Sequence, residues 1–340
     1  MVDQQKMKRE DLERILYAGV KRLGEDDSSP DGPFWRQLIE SNSPVAYFPM
    51  IKPFDMERYW KKRSLYYHVI HDIDVLSEIE RLKGAEEDVF HQKEAAHVAS
   101  LKERVSSNSL FPMRPFLQRV SQVLLDLISG RPFQLPTYTY ITSSDITDSN
   151  RCPSGLNRVD ASPFIERLTN NLHLLSSLPL PLDGDIIPPE HLQRMVQFLC
   201  ILKPRGILYL LGVSHTTGSI DQLPPPIEQL ISSFRRQHTL QSDNPLTVGA
   251  RALSKHADRS KTDQFWGQHK GSAEEHNKRA EDILVRLFDR SLWFNLHKLP
   301  HDVTIFEMRS LDGYGARWSC DGKIFRGPQM EDGHALGWVH

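Results

Sequence analysis

Residues 303–326 read VTIFEMRSLDGYGARWSCDGKIFR, and the fold class turns on them. Here the hydrophobic period is 2, whereas upstream it is 3.6. Val303 to Arg309 predicts a strand, Asp312-Gly313 a turn and Gly315 to Cys320 a second strand. Asp321-Gly322 is a two-residue hairpin turn, and Lys323 to Arg326 forms a third strand. The C-terminus is therefore expected to be a three-stranded antiparallel β-meander.

The turn also fixes a register. With Asp321 and Gly322 at the tip, Trp318 faces Phe325 and Arg317 faces Arg326. Opposed like charges destabilise a sheet by up to ~1 kcal/mol, so negative charge is expected between the two arginines. Glu307 on the neighbouring strand is one source and an anionic ligand is another. Tyr314, between Gly313 and Gly315, sits where backbone can approach a ligand closely.

Working outward, Ser272-Ala-Glu-Glu275 is a capping box. Ala280, Ile283, Leu284, Leu287 and Phe288 then make an apolar helical stripe behind it. If Leu246 to Ser260 is helical, Arg251, Lys255 and Arg259 line one face with His256 beside them. That stripe and the Arg317/Arg326 rung are expected to converge on one anion. His256 and Glu307 would be its acid/base pair, and Arg251, Lys255, Arg259, Tyr314, Arg317 and Arg326 its ligand contacts.

Most of the remaining chain reads as helix. Helices are expected over Leu12 to Leu23, Asp55 to Lys83, Glu86 to Val105 and Pro115 to Ile128, with Gly84 as a break. Ser162-Pro163 opens another helix, and Pro189 to Leu202 and Pro226 to Gln237 flank a buried strand at Ile207 to Val213. Tyr138 to Ile141 can be a short strand. The fold class is thus α+β, mainly helical. Its helical region spans residues 1–140, a Ser/Thr/Asp-rich linker 141–160, and an α+β region 161–340.

Composition bounds the rest. The 340 residues hold 42 Lys plus Arg against 44 Asp plus Glu, a balance that argues against nucleic acid as a partner. Three scattered cysteines and the polar first ten residues place the chain in the cytoplasm or nucleus. The most apolar stretch, Met195 to Val213, is interrupted by Lys203-Pro204-Arg205-Gly206, so no membrane partner is expected. No Walker A or GxGxxG sequence appears, so no cofactor is expected. His297 and His301 are four apart, but Pro300 lies between them, and no metal site is expected from the 15 histidines.

Two functions fit these features. One is a binding protein or enzyme for a phosphate- or carboxylate-bearing small molecule. The other is a non-catalytic protein that presents Tyr59, Trp60, Tyr66 and Tyr67 to a protein partner.

Overall fold

The computed structural model describes residues 7–43, 73–131, 158–178, 186–238, 246–257, 265–266, 270–310 and 313–329, with backbone alone at 73–87 and 256–257. Ten helices precede a single sheet among these residues. They are α1 (Arg9–Gly24), α2 (Gly32–Glu40), α3 (Ile73–Glu103), α4 (Phe116–Ile128) and α5 (Ser162–Asn171), followed by α6 (His173–Ser176), α7 (Pro189–Leu210), α8 (Ile227–Arg235), α9 (Val248–Ala257) and α10 (Ala273–Arg290). The sheet is antiparallel in the order β1 (Ser291–Leu299), β2 (Val303–Ser310), β3 (Gly315–Ser319), β4 (Phe325–Gln329). The class expected from sequence, mainly helical α+β with a terminal antiparallel sheet, is the one observed.

The sheet has four strands where the periodicity predicts three. α10 begins at the expected capping box: Glu275 N donates to Ser272 Oγ at 3.2 Å, and Ser272 N donates to Glu275 Oε2 at 2.7 Å. It then passes straight into β1, because Ser291 adopts extended backbone (φ −71°, ψ 131°) with no intervening loop. A strand joined to a helix without turn residues gives no punctuation to read.

Alternation along the strands separates two faces. Phe294, Leu296, Phe306, Met308, Ala316, Trp318 and Phe325 form the apolar one, buried against α8 and α10. Trp318 Nε1 donates to the Leu230 carbonyl of α8 at 3.2 Å, and Phe111 meets Phe288, Phe294 and Phe306 edge-on at 5.0, 5.6 and 6.1 Å. Trp293, Asn295, His297, Glu307, Arg309 and Arg317 point the other way.

Two helical expectations change. Gly84 does not interrupt the chain: α3 runs through it as one helix of 31 residues. A lone glycine weakens a helix by only ~1 kcal/mol, which neighbouring turns can offset. The buried strand expected at Ile207 to Val213 is instead the second half of α7, restarted after a kink at Lys203 (φ 59°) by Pro204. Ile207, Leu208, Tyr209, Leu210 and Leu211 are all buried, so this segment has no polar face and its apolar run mimics a central strand. Residues 55–72, with the Tyr/Trp cluster, and Tyr138 to Ile141 lie outside the described residues.

Charge fastens α3 to the C-terminal layer. Arg235 of α8 binds Glu94 of α3 at 3.1 Å and also Glu281 of α10. Lys102 binds Glu228 at 2.5 Å, and Arg104 binds Asp282 at 2.6 Å.

Gly315 sets the spacing between β2 and β3. A Cβ there would lie 2.1 Å from the Met308 carbonyl oxygen and 2.5 Å from Arg309 Cδ. Gly315→Ala is therefore expected to destabilise the fold by about 3 kcal/mol, because a backbone atom cannot move aside as a flexible side chain can. Urea unfolding of the two proteins measures it.

Candidate active site on the polar face of the sheet

Glu307 is the centre of this face. It has no solvent exposure, and three basic side chains converge on its carboxylate. Arg309 Nε donates to Oε1 at 2.6 Å, Arg317 Nε to Oε2 at 2.8 Å, and His297 Nε2 to Oε2 at 3.0 Å. Strand pairing explains the meeting: Glu307 sits opposite Arg317 on β3 and Asn295 on β1, with His297 two residues along. Burial pushes the carboxyl toward its neutral form. Arg309, His297 and Arg317 outweigh that and hold it well below the usual carboxylate range. Glu307 is thus a fixed anion, too weak a base to carry protons at neutral pH.

That assignment orients the imidazole. An ionised carboxylate only accepts, so His297 carries hydrogen on Nε2. Its Nδ1 lies 3.4 Å from the Lys298 carbonyl. The neutral ring offers a lone pair at Nδ1, and the protonated ring can turn that proton toward the carbonyl. A carboxylate-braced imidazole of this kind can accept and return a proton.

A segment upstream of the sheet completes the face. Ser214 N donates to the Phe294 carbonyl at 2.7 Å, Ile220 N to Leu296 O at 2.9 Å, and Lys298 N to Gly218 O at 3.0 Å, so residues 214–220 line the outer edge of β1. Asn295, fully buried, donates from Nδ2 to Thr216 Oγ1 at 2.8 Å and accepts at Oδ1 from Ser219 Oγ at 2.8 Å. The strand that bears His297 is thereby pinned on both sides.

Arg317 is the point where the cluster meets solvent. Its side chain is 12% exposed, against 0% for His297 and Glu307 and 1% for Arg309. Its Nε is engaged by Glu307, and among the described residues no hydrogen bond takes up its two Nη groups. A guanidinium held by one edge and open at the other suits an incoming phosphate.

The structure gathers only part of the set expected from sequence. Glu307 and Arg317 pair as anticipated, but the second arginine on the carboxylate is Arg309, not Arg326. Trp318 does face Phe325, whereas Arg317 faces Gly327. A β-bulge at Arg326, relieved by Gly327 at φ +135°, breaks the expected register and turns Arg326 to the surface. There it borders a cleft of about 1010 Å³ with Arg114, Lys323 and Asp321. Arg251 and Lys255 are exposed on α9. This helix packs against α8, α10 and β4, and among the described residues no hydrogen bond or ion pair joins Arg251 or Lys255 to Glu307 or Arg317. Of His256 only the backbone is described, and Arg259 lies outside the described residues. Tyr314 is buried, stacked on Phe265 at 4.0 Å and edge-on to Trp266 at 5.5 Å, so its ring serves packing.

His297, Arg309, Asn295, Thr216 and Ser219 escape the sequence reading. The signal for His297 and Asn295 is the alternation Trp293, Asn295, His297 against Phe294, Leu296 within the unread β1, whereas Arg309 stands two residues from Glu307 on the strand the period does reveal. Thr216 and Ser219 approach the sheet from a loop and carry no local pattern. Among the described residues no group of three His, Cys, Asp or Glu could hold a metal ion, and no helix is long and apolar enough to cross a membrane.

Residues 236–328 match the family model of the CdiA C-terminal tRNase toxin domain. No curated protein and no solved structure matches the chain. The family match overturns three expectations: an anion-binding protein for small metabolites, a non-catalytic interaction protein, and the exclusion of nucleic acid. Overall charge does not exclude nucleic acid, because a few cations gathered at one point can serve where a broad basic surface is lacking.

Glu307→Gln is expected to lower stability at pH 7 by about 3 kcal/mol or more, since it leaves two buried guanidiniums without their counter-charge. The contribution of Glu307 is fully present above the carboxyl pKa of the unfolded chain, about 4.3, and fades as pH falls toward its depressed folded value. Urea unfolding at pH 7, 5 and 3 should show the gap between wild type and variant narrowing only at the lowest pH. An equal gap at all three would contradict the assignment.

Proposed function

We propose that residues 236–328 carry an RNA-cleaving site whose substrate is tRNA, built on His297, Glu307, Arg309 and Arg317. The observation that carries this reading is that the span matched to a tRNase toxin domain contains a buried carboxylate bracing an imidazole and two guanidiniums. Those groups are what phosphodiester transfer in RNA requires.

The chemistry follows from the geometry. RNA supplies its own nucleophile in the 2′-hydroxyl. His297 Nδ1 takes the 2′-hydroxyl proton as that oxygen bonds to the adjacent phosphorus. The bond from phosphorus to the 5′-oxygen breaks, the departing oxygen takes a proton from water, and the hydroxide left behind takes back the proton held on His297. The products are a 2′,3′-cyclic phosphate and a 5′-hydroxyl end. Arg317 binds the phosphate through its open Nη edge and stabilises the charge that builds on it. Arg309 and Glu307 hold the other two in place. Since His297 is closed to solvent and Arg317 is not, the phosphate meets Arg317 first, and the face must open for the imidazole to reach a 2′-hydroxyl.

Incubation of the full chain with tRNA should yield fragments whose 5′ ends accept phosphate from a polynucleotide kinase without prior dephosphorylation. His297→Ala is expected to reduce kcat/KM about 100-fold or more, as loss of a general base does. Arg317→Ala should fall by a factor of about 100, as loss of one transition-state donor does. Intact tRNA with the wild type, or undiminished cleavage by His297→Ala, would refute the proposal.

A further inference from the structure

Trp293 is the unexplained residue of the polar face. It is 2% exposed, and among the described residues its indole Nε1 has no hydrogen-bond partner. A buried donor left unpaired is costly, and such groups are few in folded proteins. Packing alone does not account for it, since a phenyl ring fills space without burying a donor.

Its position suggests what the donor is for. Trp293 lies four residues before His297 on β1, a Cα span of about 13 Å in extended chain. Yet the two ring centroids are 6.2 Å apart. The two rings therefore lean toward one another across the polar face. On the adjacent strand its Cα partner is Arg309. A hydrogen-bond donor whose ring neighbours the proposed base, on a residue paired with Arg309, is placed to meet whatever carries the reacting hydroxyl.

We infer that Trp293 Nε1–H is a recognition donor for the nucleotide whose 2′-hydroxyl His297 activates, accepted by an oxygen or nitrogen of the RNA that the free protein lacks. The inference rests on the RNA-cleaving reading above. An RNA base offers acceptors that differ between nucleotides, whereas a phosphate oxygen is the same in all, so the two sources leave different signatures. An acceptor on the base makes Trp293 a determinant of which nucleotide is cut. An acceptor on the phosphate makes it a general anchor.

The test replaces Trp293 in the full chain with β-(3-benzothienyl)alanine, which keeps the ring shape and removes the N–H, alongside the simpler Trp293→Phe. With tRNA as substrate, the isostere should raise KM about tenfold, the worth of one good hydrogen bond, and leave kcat within about twofold. Its melting temperature should equal or exceed that of wild type, because an unpaired buried donor has been removed. Mapping the cut sites separates the two sources: a changed nucleotide preference identifies a base acceptor, and a uniform loss identifies a phosphate. Unchanged KM in an isostere that is folded and active would overturn the inference and leave the RNA-cleaving reading standing. A wild-type chain that neither cleaves tRNA nor binds it in fluorescence anisotropy would overturn that reading, and the inference with it. Trp293→Phe serves as the check on packing: a fall in its melting temperature without a rise in KM also counts against a recognition role.

Discussion

The buried carboxylate of Glu307 is the constraint on which the polar half of the sheet depends. An ionised group without water is tolerated only when charge-assisted hydrogen bonds replace its hydration, and here three do so from three directions. Their origins matter as much as their number. His297 comes from β1, Arg309 from β2 itself and Arg317 from β3, so one side chain locks the mutual register of three strands. A slip of one residue in any pairing would turn a basic side chain into the apolar core on the opposite face and leave the carboxylate short of a partner. The charged cluster and the register are thus specified by the same interaction.

The other face imposes a complementary demand. Its aromatic and aliphatic side chains are covered by α10, which belongs to the matched span, and by α8, which precedes it. The loop at 214–220, also outside the span, occupies the free edge of β1 and satisfies the amide of Asn295. An edge strand left open would present unpaired backbone groups to other chains. The helical part of this protein therefore contributes to the sheet twice, as the second layer of its core and as the partner of its outer strand. Through Arg235, bound to both Glu94 and Glu281, α3 is tied into the same assembly.

Much of the fold was legible because its elements carry their own punctuation. The capping box at Ser272 and the stripe behind it act within a few residues and appear where expected, and the chain reverses at Asp321-Gly322, though through a longer loop that leaves Cys320 and Lys323 outside the strands. What escaped depended on partners distant in sequence. β1 follows its helix with no turn residue between, so its alternation was masked by the helical period before it. The half of α7 after the kink at Lys203 is apolar all round from Ile207 because other helices enclose it, and enclosure is not a local property. The bulge at Arg326 is permitted by Gly327, yet a glycine after an arginine does not announce that a register will shift. Within the site, Glu307 and Arg317 could be paired because a short hairpin relates them. His297, Asn295, Thr216 and Ser219 are joined only once β1 is recognised as a strand and the loop is laid along its edge.

The nearly balanced charge of the chain and its reading as an RNA-cleaving protein are compatible once two roles of electrostatics are kept apart. A broad basic surface gathers nucleic acid from a distance and weakens steeply with salt. A buried cluster acts at contact, where low polarity strengthens each interaction and salt penetrates little. This molecule invests in the second. Its cations on the polar face are few, braced by an anion and almost withdrawn from solvent, with the outer edge of Arg317 as the part that a substrate can touch first. Burial of this depth favours catalysis over capture: it fixes the donors before charge develops on the phosphate, at the expense of easy access. The same closure explains how an unpaired indole can persist beside His297, since a donor sealed from water has no alternative partner until an acceptor is brought to it.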